Sequence, residues 1–281
     1  MKQRLITSAV ILGVTIPLVL FSHFITYPIV LSILAFIAVY EIMRTLSVQK
    51  EYSLAIPAYI FALALPFATF FVAEHSMEYL LLLAALMFAY LVYAMAVGVF
   101  SKGRLGFSLI SELFVMVTYV VVSFSAMSLI RYLDIDVGLY VLILILISSW
   151  LTDSSAYIVG SLMGKHKLIP EVSPKKTVEG AVGGLVFATL GFLLYGLIID
   201  LFIKGIEVNY IALAIFAPIL SAVSQLGDLF ASLLKRQHGV KDYGNIFPGH
   251  GGVMDRFDSM IAVSIFVYIV CRAFAAYPLF S

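Results

Sequence analysis

The stretch YLLLLAALMFAYLVYAMAVGVF, Tyr79–Phe100, contains no charged residue and no alternation of apolar with polar positions. A helix needs about 20 mostly apolar residues to cross a bilayer, whereas a membrane barrel strand would show a period of two. The run therefore predicts a spanning helix, which satisfies its backbone polar groups internally. Working outward, comparable runs lie near 6–22, 25–43, 53–73, 107–129, 137–160, 180–203, 210–234 and 259–279, giving about nine spans in all. The very short link at Ser22–His23 predicts a tight hairpin between the first two. The fold class is thus all-α, a polytopic integral membrane protein. Its expected organisation is N-terminal transmembrane helices over 1–130 and a C-terminal transmembrane region with polar loops over 131–281.

Composition agrees. Of 281 residues, 63% are hydrophobic and 12% charged, against roughly a quarter charged in a soluble domain. Lipid is the natural solvent for such a chain. A net charge of +1 offers no electrostatic footing for nucleic acid. The single cysteine, Cys271, permits neither an intrachain disulfide nor a cysteine zinc site. The start, Met1-Lys2-Gln3-Arg4 before an apolar run, resembles a secretory signal, but no small-residue cleavage site follows, so it reads as the first span.

Lysine and arginine in the loops set the orientation. With the N-terminus inside, fourteen of these residues, from Lys2 and Arg4 to Lys241 and Arg256, fall inside, while Arg131 and Lys204 fall outside and Arg272 lies within the last span nearer the outer face. The outer loops are acidic instead, with Glu74, Glu78, Asp134, Asp136 and Glu207. The expectation is a multi-pass protein of the cell membrane with its N-terminus and polar loops cytoplasmic and its C-terminus outside. Most of these cations need no role beyond topology or contact with anionic lipid, Lys102 and Arg104 among them. His23, His75 and His166 read as interfacial residues, and Glu112, inside a span, as an acid in search of a partner.

Two inside loops are too polar for connectors. The first, Gly164–Gly180, holds Ser173, Lys175, Lys176, Thr177 and Glu179, with Pro170 and Pro174 to break any helix. The second, Lys235–Asp258, gathers Lys235, Arg236, Lys241, His250 and Arg256 beside Asp242, Asp255 and Asp258. Asp255 and Asp258 are three apart, so a helical start to the last span places them on one face. Asp228 lies within the eighth span, where an ionised carboxylate costs about 3 kcal/mol at the bilayer centre, so it should face a cation, a wet cavity or another helix. Carboxylates from neighbouring helices beside several cations suit a divalent ion that shares phosphate oxygens, and Mg²⁺ prefers such oxygen ligands. Gly249, Gly251 and Gly252 around His250 allow backbone amides to approach a phosphate closely.

These residues carry a family resemblance. Ser232-x-x-Lys235-Arg236, then Lys241-Asp242-x-Gly244, then Phe247-Pro248-x-His250-Gly251-Gly252-x-x-Asp255-Arg256-x-Asp258 resembles the signature of the phosphatidate cytidylyltransferases, or CDP-diacylglycerol synthases. Asp153, the Gly160-x-x-x-Gly164-Lys165 step and Ser173-Pro-Lys-Lys-Thr-x-Glu-Gly180 resemble the same family upstream. The diagnostic part covers about residues 150–260; the first half resembles the family only in being hydrophobic.

The resemblance implies condensation of CTP with phosphatidic acid to CDP-diacylglycerol and pyrophosphate, requiring Mg²⁺, with a second cation as a further candidate. Carried onto this chain, it makes Asp228, Asp255 and Asp258 metal-ligand candidates. Lys235, Arg236, Lys241, Asp242, His250 and Arg256 become catalytic candidates. Ser173, Lys175, Lys176, Thr177, Gly251 and Gly252 become substrate-binding candidates. Membrane lipids surround the protein, and Gly160-x-x-x-Gly164 permits close packing, compatible with a homodimer without counting subunits. Two alternatives stay open at this point. One is a CTP-dependent transferase acting on another lipid; the other is an ion-coupled transporter with Asp228 as its ion site.

Overall fold

The structure is a computed structural model that describes residues 13–72, 76–134, 137–273 and 279–280. After a helical segment over 13–20, the elements run α1 (Thr26–Thr45), α2 (Tyr52–Val72), α3 (Ser76–Phe100), α4 (Phe107–Leu133), α5 (Gly138–Met163), β1 (Lys167–Ile169), β2 (Ser173–Thr177), α6 (Val178–Phe202), α7 (Tyr210–Gln237) and α8 (Met254–Ala273). Among the described residues, seven helices, α1 to α7, are long and apolar enough to cross a membrane. Much of the expected first span, 6–22, lies outside the described residues. The expected last span is α8, whose ends carry Asp255, Arg256, Asp258 and Arg272 and dilute its apolar character. Large apolar side chains stand exposed along the helices, Phe107 at 86% and Phe100 at 84% among them, as a surface dissolved in lipid requires. The protein is a multi-pass membrane protein.

The chain forms two compact units, Met1–Leu133 with His238–Arg256, and Asp134–Gln237 with Phe257–Ser281. In the first, α1 packs on α2 and α4, and α3 on α2 and α4. Hydroxyls tie these helices where apolar packing alone gives no preference in lipid. Tyr79 donates to the Leu65 carbonyl at 2.7 Å and to Ser125 at 3.1 Å, and Arg131 Nε donates to Ser22 at 2.8 Å. Pro57 and Pro66 sit inside α2, a placement that neighbouring membrane helices tolerate.

In the second unit, α5, α6 and α7 pack on one another. Glycines make the α5–α6 seam close: a Cβ on Gly183 would meet Val159 at 2.7 Å, and one on Gly180 would meet the Ala156 carbonyl at 2.6 Å. Thr152 donates to Ser221 at 2.8 Å across α5 and α7.

The first polar loop is an antiparallel hairpin, β1 with β2. The prolines exclude a helix there, and local pairing supplies the backbone partners a helix would have supplied. Lys235 and Arg236, assigned from sequence to the second loop, belong to the last turn of α7. There, cations complement the carbonyl end of the helix. The Gly160–Gly164 step is filled by its own chain: Cβ atoms at both positions would meet Thr177.

Candidate active site

In the second unit, α7 and α8 approach at Gly227, where an added Cβ would lie 2.7 Å from the Asp258 carbonyl and 2.7 Å from Ala262 Cβ. That contact sets Asp228, the next residue, near the 258–262 stretch of α8. Asp258 is buried at 8% exposure, and the charged groups that bear on it are Asp228, Asp153 and Lys235. Its Oδ1 accepts from the Ser259 amide at 2.8 Å, while the Ser259 hydroxyl lies 3.4 Å from Asp153. From the hairpin, Lys176 Nζ reaches Asp228 Oδ2 at 2.6 Å. The Ser232 hydroxyl lies 3.4 Å from the other Asp228 oxygen.

Three carboxylates and two ammonium groups leave this cluster acidic. Asp258 is buried, Asp228 half-buried and Asp153 exposed, and like charges that act on a buried carboxylate are costly unless a cation joins them. Among the described residues, no group of three or more His, Cys, Asp or Glu side chains is arranged to hold a metal by itself. Hard oxygen donors from one or two carboxylates nevertheless fit Mg²⁺, which completes its shell with water and substrate phosphate.

In the first unit, the glycine-rich segment ahead of α8 is anchored differently. Asp255, also buried, accepts on one oxygen from the amides of Tyr243 at 2.8 Å, Gly252 at 2.9 Å and, less closely, Gly244 at 3.4 Å. Gly249 and Gly251 adopt φ of 78° and 85°, a left-handed backbone that glycine takes without steric cost. The Phe247 amide donates to the Gly251 carbonyl at 2.9 Å and closes the turn around His250. Lys241, Asp242 and Arg256 are exposed and His250 is half-buried.

Not every sequence candidate keeps a free side chain for substrate. Thr177 is the N-cap of α6, accepting from the Gly180 amide at 3.1 Å. Gly252 serves as a donor to Asp255. Ser173 and Lys175 lie on β2, with Lys175 exposed.

The structure also engages residues the sequence left without a role. Asp153 joins Asp228 and Asp258. Glu112 pairs with His238 at 2.8 Å. Glu41, which falls within the expected span 25–43 and which the sequence did not single out, and Arg44, one of the fourteen inside cations, grip the glycine-rich segment. Glu41 accepts from the Val253 and Met254 amides at 3.0 and 2.8 Å, and Arg44 donates to the Tyr243 carbonyl. An acid within a span, followed three residues later by an arginine at its end, was the only signal available for that pair.

The class the structure defines is a helical membrane protein with lysines and carboxylates gathered at helix ends in one unit and a glycine-rich turn built on backbone amides in the other. The chain belongs to the cytidylyltransferase family, whose model matches residues 2–274. It is 35% identical to the phosphatidate cytidylyltransferase of Bacillus subtilis (strain 168), over 98% of this chain and 99% of that one. It is 36% identical to the protein of the same name from Staphylococcus saprophyticus, over 94% of this chain and 96% of that one. The Staphylococcus aureus (strain COL) protein of that name is 34% identical over the same shares.

Proposed function

We infer that this protein is a phosphatidate cytidylyltransferase, which transfers a cytidylyl group from CTP to phosphatidic acid and releases pyrophosphate. Family membership and near-full-length relatives of that name support the activity. The observation that carries its assignment to residues is the cluster of Asp153, Asp228 and Asp258 against Lys176 and Lys235.

The lipid phosphate is already an anionic nucleophile at neutral pH, so the reaction makes little demand on a general base. An oxygen of that phosphate attacks the α-phosphorus of CTP, the bond to the bridging oxygen breaks, and pyrophosphate leaves with the electron pair. The obstacle is repulsion between a lipid anion and a nucleotide polyanion, and its removal is mainly electrostatic. Lys176 and Lys235 supply positive charge beside the carboxylates. Asp228 and Asp258 would hold Mg²⁺, which when bound adds counter-charge to the phosphates and stabilises the leaving group. Lys241, His250 and Arg256, on and beside the glycine-rich turn, are assigned to phosphate oxygens as part of this reading, and Arg236 adds a cation at the end of α7.

The lysine and arginine asymmetry supports a cytoplasmic site, where CTP arrives from solution and the lipid enters from the inner leaflet. Single-cysteine labelling in a Cys271→Ser background tests that orientation. For the activity, purified protein in lipid nanodiscs is supplied with CTP, Mg²⁺ and a panel of lipid phosphates. Pyrophosphate and CDP-diacylglycerol should form with phosphatidic acid. Turnover confined to another acceptor would reassign the substrate, and no turnover with any acceptor would refute the transferase reading.

A further inference from the structure

Glu41 is a buried carboxylate in the last turns of α1, at 1% exposure. No apolar reason exists for an acid there, and a buried charge persists only where hydrogen bonds satisfy it. Its two oxygens each accept one amide, Val253 at 3.0 Å and Met254 at 2.8 Å. Met254 begins α8, and the first amides of a helix have no partner within it. Glu41 thus caps α8 from a helix more than two hundred residues away in sequence.

The fit is close on the other side too. Cβ atoms built on Gly244 and Gly252 would run into the Glu41 carboxylate, so no larger residue fits at either position while Glu41 keeps its place. One turn further along α1, Arg44 donates to the Tyr243 carbonyl, on the same segment that Asp255 holds through the Tyr243 and Gly252 amides. The backbone from Tyr243 to Met254 is therefore fastened by Glu41, Arg44 and Asp255 together, and that backbone carries His250.

We propose that Glu41 is a positioning residue for cytidylyl transfer: it fixes the glycine-rich segment 243–253 and the first residues of α8, and so makes the N-terminal helices the support of the segment that carries His250. The proposal rests on the transferase reading above. A glutamine in its place keeps one acceptor but turns an N–H against a backbone N–H, so the shape survives and the anchor does not. Misplacement of reacting groups by about 1 Å costs on the order of 100-fold in rate.

The test compares wild type, Glu41→Gln, Glu41→Asp, Gly252→Ala and the Glu41→Asp/Gly252→Ala pair in nanodiscs. Glu41→Gln should lower kcat/KM for CTP about 100-fold while KM for phosphatidic acid stays unchanged. Hydrogen exchange at the Val253 and Met254 amides should accelerate about tenfold or more in Glu41→Gln, with amides in α4 unaffected. Gly252→Ala should be strongly impaired. Shortening the acid by one methylene in the pair should restore about tenfold of that loss, a non-additivity expected of residues in contact.

Unchanged exchange at residues 253–254, or a fully active Glu41→Gln, overturns the proposal, as do strictly additive losses in the pair. Exchange is read without turnover, so an inactive wild type would refute the transferase reading while the anchor is still decided. If Glu41→Gln does not assemble, Glu41→Asp carries the exchange and kinetic measurements.

Discussion

Two groups of carboxylates, one buried and one only partly so, meet opposite fates in this protein. In the first unit, Glu41 with both oxygens and Asp255 with one accept from backbone amides, five of them between the two residues. In the second unit, Asp228 and Asp258 stand near each other and near Asp153, with lysines as counter-charges. A carboxylate that gathers several backbone amides, on both oxygens in Glu41 and on one in Asp255, builds a loop. One held among like charges has binding capacity left for a cation or a phosphate-bound ion. Residue type alone does not separate the two, and the signature places Asp255 and Asp258 only three residues apart.

The difference can be broken most directly at Asp258 and Asp228. Asp258→Asn or Asp228→Asn should reduce turnover by about 1,000-fold or more. The melting temperature should stay unchanged or rise for Asp258→Asn, because like-charge repulsion is relieved. Substantial activity in both variants would remove the pair from the proposed metal centre. Asp255→Ala should behave differently, lowering turnover and stability together, since it strands several buried amides at a cost of about 3 kcal/mol. Asp255→Asn retains an acceptor and should lose turnover with a smaller loss of stability. Chemical denaturation paired with initial rates distinguishes these patterns.

Lys176→Ala sharpens the comparison at lower amplitude. Removing the cation 2.6 Å from Asp228 should raise KM for CTP about tenfold, measured at saturating phosphatidic acid. The smallest effect belongs to an exposed pair with neither role. Arg104 hydrogen-bonds Glu51 and holds its carboxyl below the ordinary glutamate value. The stabilisation this linkage contributes is complete above the ordinary glutamate range and fades as pH falls through the lowered value. Glu51→Gln should leave turnover unaltered, and its slight deficit in melting temperature at neutral pH should vanish in acid, as for an exposed ion pair.

Much of the candidate site was legible before any coordinates. Asp228 announced itself because an acid inside a span must find a partner, and Lys235, Arg236 and Asp258 lay in a dense polar signature. What could not be read was which acids would turn to backbone. Backbone amides exist at every residue but proline and leave no mark in a sequence, so Glu41 was not singled out within its span and Arg44 counted only as one more inside cation. The hairpin at 167–177 was hidden for a related reason: Pro170 and Pro174 announce the end of a helix but not the strand pairing that replaces it. Glu112 found its partner in His238, 126 positions away, a distance no local pattern bridges.

The sequence by itself determined the solvent and the helices, because continuous apolar runs of bilayer length have one low-energy solution in lipid. It also determined where the polar chemistry gathers, since charge is expensive enough there to be confined to a few segments. Only the tertiary structure decided which carboxylate grips a loop and which faces other charges, and that His238–Arg256 folds with the N-terminal helices. Those outcomes depend on hydrogen bonds and ångström-scale approaches between residues remote in the chain, and such distances are fixed by packing, not by residue type or spacing.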